Sequence, residues 1–564
     1  MTVLERITAA CADGTFTETP ERDGVPTFVV AREHVHAFLT SLKHDCGFET
    51  NTFVTAVDHA PTEPRFEVTW QFLSMEHTDR VRVRCRVSGD DANVPSCVDL
   101  WDGVGFSERE CFDMFGITFE GNPDLRRLLM PKTYPHHPLR KEFPHQGIEP
   151  DRLYRDWDRA RRAEATDKAT ARAAAGEIMK LNMGPQHPAT HGVLRLGVEL
   201  DGETICSVDP DVGYLHRGKE KSCESLGWRK FFPHTDRLDY VQPLMNNCAY
   251  AMALESLAGL EVPQRGQEVR VLLMELSRIM AHLIYLGTTA IDLGAVSMFF
   301  FTFTEREKAY DLLDAYTGHR MNNTYVRMGG VYADVDEDMA RAIREWVTQF
   351  PSKIDEFEAL LTGNRIWHDR NKGVGVLTPE MCKQWSLTGP NLRGSGVEWD
   401  LRKAMPYSGY EDYDFEIPVG TVGDCYDRYL VRIEEMRQSV KLCLQALDRL
   451  DKSKGADYLT RDRKYVLPPK ERVHESMEEL IFQFKVVTDM KLPKGAAYFA
   501  CESSKGELGF YIASDGTSTP LRCHVRAPGL MNVQAIPLIS NGCLLSDMMA
   551  IIGSLDFVMG EVDR

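Results

Sequence analysis

The segment from Asn182 to Gly192 constrains the fold of this chain more than any other. It combines two histidines, two prolines and two glycines without helical or strand periodicity. Residues 178–182 before it alternate in polarity, and residues 193–200 after it are apolar at every second or third position. Flanking runs of this kind are typical of two strands. The segment is therefore predicted to be a hairpin-like loop.

The composition of this loop indicates that it is stiff. A proline fixes its own φ angle, and a glycine adopts backbone conformations closed to other residues. Zinc binding by the two histidines is disfavoured, because the prolines exclude a helix and no CxxC pair accompanies them. From spacing alone, ordinary loop histidines are the simpler interpretation. The two residues are His187 and His191.

Length and charge restrict the classes of function. The 564 residues suffice for three or four domains, and the 43% hydrophobic and 27% charged content is typical of a soluble globular protein. The formal net charge of −18 disfavours nucleic acid as a partner. The longest apolar run, 293–303, is too short to cross a bilayer, and residues 1–6 lack a secretory signal pattern. A cytosol-side protein without a transmembrane segment is expected.

The cysteines argue against a redox or metal centre built by this chain alone. There are 14 of them, and no two are spaced as CxxC. Neither a zinc ribbon nor a ferredoxin-type cluster can therefore be assembled locally. In a reducing cytosol most are expected to be small buried apolar residues. The prediction is that this chain holds no metal and no cofactor of its own, and that any electrons come from a neighbouring chain.

The periodicity of the chain predicts an α+β fold in three regions. These are a small α+β domain at 1–145, a charged linker at 146–177, and a mainly helical domain with marginal β-structure at 178–564. The predicted strands are 27–30, 51–57, 66–75, 80–87, 497–502, 508–514 and 521–527. The predicted helices are 32–44, 99–115, 240–260, 268–292, 304–316, 339–360 and 426–450.

Two sets of motifs resemble parts of one enzyme. Residues 108–117, ERECFDMFGI, and the proline-rich strap that continues to residue 143 resemble the C subunit of proton-pumping NADH–quinone oxidoreductase, respiratory complex I. Residues 184–195, GPQHPATHGVLR, and the motifs at 505–509, 514–516 and 526–529 resemble its D subunit. The resemblance covers nearly the whole chain. It implies that the C and D subunits of a bacterial complex are fused here, with a fold like that of the nickel–iron hydrogenase large subunit.

This resemblance implies a quinone-reduction site. His191 corresponds to a loop histidine that approaches the quinone, Tyr240 to a tyrosine that donates to a quinone carbonyl, and Asp292 to an acid that pairs with the histidine. A phenol and an imidazole are suitable proton donors near neutral pH. Weaker candidates for the quinone pocket or the vicinity of the cluster are His187, Met183, Gly184 and Arg237.

Two further positions concern the electron source. The arginine matching Arg237 lies near the terminal cluster in the family, and pairing with Asp236 or Asp239 is an equally good interpretation. A histidine often found near that cluster is replaced by Asn322. A cluster potential linked to protonation is therefore not expected here.

The resemblance also implies partners and a location. The iron–sulfur cluster is supplied by the adjacent B subunit, and further partners are the I and G subunits and the membrane H and A subunits. Quinone is the substrate, NADH the electron donor of the parent complex, and electron transfer is coupled to proton translocation. The chain is expected to be peripheral on the cytoplasmic face of the bacterial inner membrane.

Two other functions have different requirements. Hydrogen activation at a nickel–iron centre requires four cysteine thiolates from two CxxC motifs, and this sequence has none. A scaffold without chemistry, in the same or a related hydrogenase-like complex, remains the alternative. It predicts that His191, Tyr240 and Asp292 tolerate substitution as long as the complex assembles.

Overall fold

The computed structural model describes residues 2–11, 16–148, 178–188 and 192–564. The strands are β1 Phe16–Thr19, β2 Thr27–Val30, β3 Thr50–Asp58, β4 Phe66–Ser74, β5 Asp79–Val87, β6 Asn93–Pro95, β7 Thr118–Glu120, β8 Met179–Met183, β9 Arg195–Asp201, β10 Thr204–Asp211, β11 Val326–Arg327, β12 Gly330–Val331, β13 Gly495–Ser503, β14 Gly506–Ser514 and β15 Arg522–Arg526.

The helices alternate with these strands along the chain. They are α1 Val3–Ala10, α2 Val35–His44, α3 Gly105–Phe115, α4 Lys219–Leu226, α5 Phe232–Thr235, α6 Pro243–Ala258, α7 Gln264–Asp292, α8 Val296–Thr317, α9 Glu337–Leu361, α10 Arg365–Asn371, α11 Pro379–Gln384, α12 Pro390–Gly394, α13 Leu401–Ala404, α14 Cys425–Lys452, α15 Lys470–Glu475, α16 Met477–Asp489, α17 Pro528–Gln534, α18 Ile536–Ser540, α19 Asp547–Leu555 and α20 Met559–Asp563. This mixture of helices and small sheets confirms the α+β class.

The chain divides into two compact units. The first contains Met1–Ser222, Val374–Leu387 and Arg526–Arg564, and the second contains Cys223–Gly373 and Thr388–Val525. The predicted boundaries at 145 and 178 concern the fused domains and stay a prediction. The first unit extends beyond both of them, because later segments of the chain pack with it. Apart from residues 146–148, the predicted linker lies outside the described residues.

The first unit is built on a five-stranded sheet with the order β1-β2-β5-β4-β3. Only the pairing of β2 with β5 is parallel among the pairs of this sheet. The hairpin predicted at 66–75 and 80–87 is confirmed, since β4 and β5 are antiparallel with Ser74 opposite Asp79. β3 and β4 are buried along their whole length. Such burial needs cover on both faces of the sheet, and α3 and α11 both contact β3.

Acidic residues of α3 hold the proline-rich strap that follows this helix. The Asp113 carboxylate accepts hydrogen bonds from three consecutive backbone N–H groups of residues 128–130, at 3.0, 2.8 and 2.9 Å. Glu108 accepts one from Asn122 Nδ2 at 2.7 Å, and burial raises the pKa of its carboxyl. The helix predicted at 99–115 begins instead at Gly105, after a 3-10 turn at Asp102–Val104.

A separate antiparallel sheet of the first unit has the order β10-β9-β8. β8 pairs with β9, and Met183 lies opposite Leu196. The two strands predicted around the histidine loop are therefore confirmed, and the loop joins their ends as expected. Gly184 has a φ of +82° and Gly192 a φ of +102°. Both values favour glycine, so each end of the loop has a backbone conformation that other residues rarely adopt.

The second unit combines four long helices with a three-stranded sheet. α7, α8, α9 and α14 pack so that each of them contacts two of the others, and α6 packs on β13 and β14. The predicted helices 268–292, 339–360 and 426–450 are confirmed within a few residues. The helix predicted at 304–316 begins earlier, at Val296, because Gly294 with a φ of +92° ends α7 and the chain becomes helical again at once.

The start of α6 also differs from the prediction. The helix predicted at 240–260 begins at Pro243, whose ring suits the first turn of a helix, where no intrahelical partner for an N–H is needed. Residues 240–242 thus form a turn rather than the first turn of the helix. In the described ranges, every helix is too short or too polar to cross a membrane.

Close packing of α7 on α8 depends on Gly287. A Cβ atom at this position would lie 2.5 Å from Thr302 Oγ1 and 3.5 Å from the Phe299 Cα atom. We expect Gly287→Ala to lower the free energy of unfolding by about 1–3 kcal/mol, because the two helices must separate to admit the methyl group. Urea unfolding of the full chain measures this. Gly363→Ala is the control, since no atom lies within 4 Å of its Cβ; an equal loss in both variants would contradict the packing argument.

Candidate functional site

Tyr240 lies on the turn between α5 and α6 and is 37% exposed. Its neighbours Asp239 and Val241 are buried. The backbone amide hydrogen of Val241 is donated to Asp239 Oδ1 at 3.1 Å, which closes the turn beneath the tyrosine. The phenol is thus presented at the surface of the second unit by a segment whose other side chains point into the protein.

Asp239 anchors this turn to the β13–β14 hairpin. Its Oδ2 accepts a hydrogen bond from Gln242 Nε2 at 2.6 Å and pairs with Lys505 Nζ at 3.2 Å. Gln242 Oε1 in turn accepts from the backbone N–H of Ser504 at 3.1 Å. Both members of the Asp239–Lys505 pair are at most 1% exposed. A buried ion pair with further hydrogen bonds fixes both partners in position.

Asp236 anchors the other end of the same turn. Its carboxylate accepts from the Thr324 backbone N–H at 3.1 Å, and also from the Thr324 hydroxyl and Asn247 Nδ2. Burial raises the pKa of Asp236 to about 6, against the opposing effect of these hydrogen bonds. Two buried carboxylates therefore hold the segment that carries Tyr240.

The raised pKa of Asp236 makes a testable contribution to stability. The folded chain binds this proton more tightly than the unfolded chain, whose carboxyl has the ordinary value of 3.8. Stability is therefore expected to fall as the pH rises from about 4 to about 6, by about 2–3 kcal/mol from this group. Asp236→Asn lacks the titration, so its free energy of unfolding should gain by that amount relative to the native chain over this range.

Urea unfolding at several pH values compares the two chains. Asp338→Asn is the control, because its side chain is 85% exposed and its substitution should shift the profile by less than about 0.5 kcal/mol at every pH. A constant difference between Asp236→Asn and the native chain across pH 4–7 would show that burial does not act on this carboxyl.

Asp292 is the last residue of α7 and is half-buried. The helix ends there because Gly294 adopts its positive φ and the Ala295 N–H is donated to the Ala290 carbonyl at 2.7 Å. The surface on either side of this helix end is apolar. Its exposed large hydrophobic side chains are Ile291, Val296, Phe300 and Phe301. The carboxylate therefore stands at the margin of an apolar surface.

The remaining predicted site residues lie mostly on the histidine loop of the first unit. Met183 is buried on β8, and His187 is half-buried in the loop. Gly184 follows β8 in its left-handed conformation. His191 lies outside the described residues. Tyr240, Arg237 and Asp292 belong to the second unit, so residues of the predicted site come from both units.

Arg237 is exposed and donates to the Pro233 carbonyl. Its charge acts to lower the pKa of Asp236, against the larger effect of burial. Asn322, at the position where a histidine is common, is half-buried in a loop and has a φ of +55°. Asparagine tolerates this conformation better than most residues. The predictions about the cluster at these two positions stay predictions.

Sequence reasoning missed the anchoring residues and a buried charged network behind them. Asp236 and Asp239 were visible only as alternative partners of Arg237, and Lys505 only as part of a motif. The spacing of two acids around an arginine and before a tyrosine was the available signal, but it does not reveal burial.

The charged network lies inside the second unit. The Arg393 guanidinium contacts Glu435 Oε1 at 2.7 Å and Glu502 Oε1 at 2.8 Å, and Asp400 Oδ2 lies 3.5 Å away. Glu435 Oε2 lies 2.8 Å from His282 Nε2. All of these side chains are at most 1% exposed. Burial lowers the pKa of His282, so the neutral imidazole donates its Nε2 hydrogen to Glu435.

A second group of buried charges on the same helices continues the network. Arg402 contacts Asp400 Oδ2 at 2.6 Å and Glu275 Oε1 at 3.1 Å. Glu275 also accepts from the Tyr410 hydroxyl at 2.7 Å and pairs with Arg278 at 3.2 Å. Because α7 supplies Glu275, Arg278 and His282 as well as Asp292, the network fixes the helix on which the candidate acid stands.

Two families describe this architecture as parts of one oxidoreductase. Residues 28–149 match the family described as respiratory-chain NADH dehydrogenase, 30 Kd subunit, and residues 292–564 match its 49 Kd subunit. The chain is 39% identical over 560 residues to the C/D subunit of NADH-quinone oxidoreductase from Nitrosospira multiformis. The match covers 96% of this chain and 91% of that relative.

Other relatives cover both parts or one. A second-copy C/D subunit of NADH-quinone oxidoreductase from Aquifex aeolicus is 40% identical over 560 residues, or 95% of each chain. A D subunit of NADH-quinone oxidoreductase from Roseiflexus sp. is 51% identical over 403 residues, or 71% of this chain and 97% of the relative. The fold and these matches define a subunit of a respiratory oxidoreductase. The chain belongs to the family of NADH-quinone oxidoreductase C/D subunits, in which the C and D parts are fused.

Proposed function

We propose that this chain forms much of the quinone-reduction site of its oxidoreductase, with Tyr240 and His191 as proton donors to the quinone. The observation that carries the proposal is the exposed phenol of Tyr240 on a turn fixed by two buried carboxylates, Asp236 and Asp239. A catalytic donor must be held in place and still reach its substrate. This turn meets both needs.

The chemistry asks for two protons at the quinone oxygens. Reduction of a quinone to a quinol takes up two electrons and two protons, and added electrons make the oxygens more basic. The Tyr240 hydroxyl donates a hydrogen bond to one carbonyl oxygen and then its proton, and the His191 imidazolium supplies the second. Asp292 stabilises that imidazolium and is left without its charged partner when the proton leaves. The altered charge of Asp292 starts the signal that couples reduction to proton translocation.

The apolar surface around Asp292 supports this assignment. A quinone ring and its tail require an apolar slot with few polar groups. Four exposed apolar side chains surround the end of α7, where the carboxylate stands. His187, Met183, Gly184 and Arg237 complete the proposed pocket or border the electron source.

The proposed setting is the peripheral arm on the cytoplasmic face of the bacterial inner membrane. An adjacent B subunit supplies the iron–sulfur cluster that delivers electrons. The I and G subunits and the membrane H and A subunits are the other proposed neighbours. The alternative of a scaffold without chemistry has the same partners, and differs only in its prediction that the three donor and acid residues are replaceable.

Photolabelling of the intact complex tests the location of the site. A photoreactive quinone should label peptides containing residues 236–242 or 183–195 of this chain, and excess unlabelled quinone should remove the label. A photoreactive probe with the same tail but no quinone ring is the control for binding through the tail alone. Quinone-protected labelling confined to other subunits would overturn the proposal.

A further inference from the structure

Helix α16 carries an exposed apolar stripe that the quinone site does not use. Its members recur at helical spacing and are Met477, Leu480, Ile481, Phe484 and Val487. At 100° per residue they fall within an arc of about 120° on one side of the helix. Met477 is 79% exposed and Phe484 63%. Val486 and Glu479 face the protein instead.

Such a stripe is unusual for the surface of a water-exposed helix. A surface helix normally turns its apolar residues toward the core and its polar residues outward. Here five apolar side chains present on the order of 400 Å² of apolar surface, the size of a patch that often marks an interaction site. The stripe therefore points to a partner that covers it.

The charges around the stripe decide what kind of partner this is. Residues 461–489 contain six Lys or Arg and six Asp or Glu, so the segment has no net positive charge to attract an anionic membrane surface. One border of the stripe carries Glu478, Lys485 and Asp489 in a row. An anionic lipid surface would repel the two acids of this row. A protein surface with complementary charges fits it.

Lys485 leaves room for a specific contact. Its amino group lies 6.0 Å from the Phe482 ring centroid, and in the part of the chain that the structure describes no carboxylate lies within 4.0 Å of it. By contrast, Glu478 lies 3.6 Å from Arg463, and Asp489 pairs with Lys491 at 3.1 Å. The lysine is thus the charge of this border that a partner carboxylate can pair with.

The size of the stripe argues against a second copy of this chain as the partner. A stable specific interface buries about 1,200–2,000 Å² in total, and two such stripes together supply only about 800 Å². A neighbour held to this chain by other contacts as well needs no more than the stripe provides. As a member of a family of oxidoreductase subunits, the chain has such neighbours.

We propose that the stripe of α16 docks into an apolar groove of another subunit of the same oxidoreductase, and that a carboxylate of that subunit pairs with Lys485. This is the binding mode in which an amphipathic helix places its apolar face in a groove, with anchors at i, i+3, i+4 and i+7.

Photocross-linking at Phe484 in the assembled complex tests the proposal. With a benzophenone amino acid at this position, we expect one cross-linked product with a single other subunit, mapped to an apolar segment that carries an acid. A product with a second copy of this chain, a product with lipid alone, or no product at all would overturn the proposal. The quinone site is untouched by this change, so the result does not depend on the proposed chemistry.

Substitutions measure the contribution of the stripe to binding. Phe484→Asp should reduce recovery of the cross-linked subunit with the tagged full chain by about tenfold, and Lys485→Glu by several-fold. Reversing the partner acid to lysine should restore recovery with Lys485→Glu. Ile366→Asp is the matched control, because Ile366 is an exposed helical residue of the same unit. Full recovery with Phe484→Asp, or equal loss with Ile366→Asp, would contradict the assignment of this surface.

Discussion

Replacing Tyr240 by Phe in the assembled oxidoreductase is expected to lower quinone reductase turnover by about 10²-fold or more. The substitution removes one hydroxyl from an exposed ring and leaves the anchors at Asp236 and Asp239 untouched. A positioned proton donor contributes typically about 10²–10⁴-fold to a rate. Steady-state reduction of a soluble quinone analogue by the purified complex measures the effect. The loss should appear mainly in kcat, because the proton is transferred only as the quinone is reduced.

Tyr332→Phe is the matched control for this result. Tyr332 is an exposed tyrosine of the same unit, and its hydroxyl has no place in the proposed site. The control variant should retain full turnover with all subunits present. Native turnover in an assembled Tyr240→Phe complex would exclude the phenol as donor and favour the scaffold alternative. A loss that appears only as missing subunits would likewise show that Tyr240 acts in assembly.

The parts of the fold that sequence reasoning found are those with strong local signals. The hairpin around 184–194 was marked by its prolines, glycines and flanking alternation, and β8 and β9 pair as that pattern predicts. The long helices α7, α9 and α14 followed from apolar spacing. The start of α8 was missed, because Val296 continues an apolar run that has no capping residue to mark a helix start.

The arrangement of the candidate site was less accessible. The family resemblance pointed to Tyr240 and Asp292, but spacing alone could not show that a turn rather than a helix presents the phenol. Pro243 was the clue, since a proline is favoured in the first turn of a helix and so separates Tyr240 from α6. The anchor between Asp239 and Lys505 joins residues far apart in the chain, and no local pattern encodes it.

Buried charge was the least predictable feature of all. Residues 426–450 were predicted to be a charged helix, and charged helical residues are usually solvated. In α14 the adjacent Glu434 and Glu435 have opposite environments, with the side chain of Glu434 41% exposed and that of Glu435 fully buried. Helical periodicity gives the two residues different directions, but the sequence does not say which direction is filled by Arg393.

Glu435→Gln is expected to destabilise the full chain by about 3–5 kcal/mol at neutral pH. The substitution removes the charge that Arg393 contacts at 2.7 Å and weakens the acceptor for His282. Removing one partner of a buried pair leaves the other charge in a medium that does not solvate it. Urea unfolding at pH 7 measures the loss. An effect below about 1 kcal/mol would mean that the remaining acids, Glu502 and Asp400, compensate Arg393 fully.

The adjacent residue and the pH dependence separate the network from a general effect of charge. Glu434→Gln changes the same chemistry one residue away, where the carboxylate lies 3.6 Å from Arg437 at the surface, and should cost less than about 1 kcal/mol. Although burial alone would raise it, the charge of Arg393 and the hydrogen bond from His282 hold the pKa of Glu435 well below its ordinary value of 4.5. The contribution of Glu435 is therefore fully present above that value and is lost as the pH falls below it. The difference between Glu435→Gln and the native chain should shrink in acid for this reason, whereas a loss of packing alone would be the same at every pH.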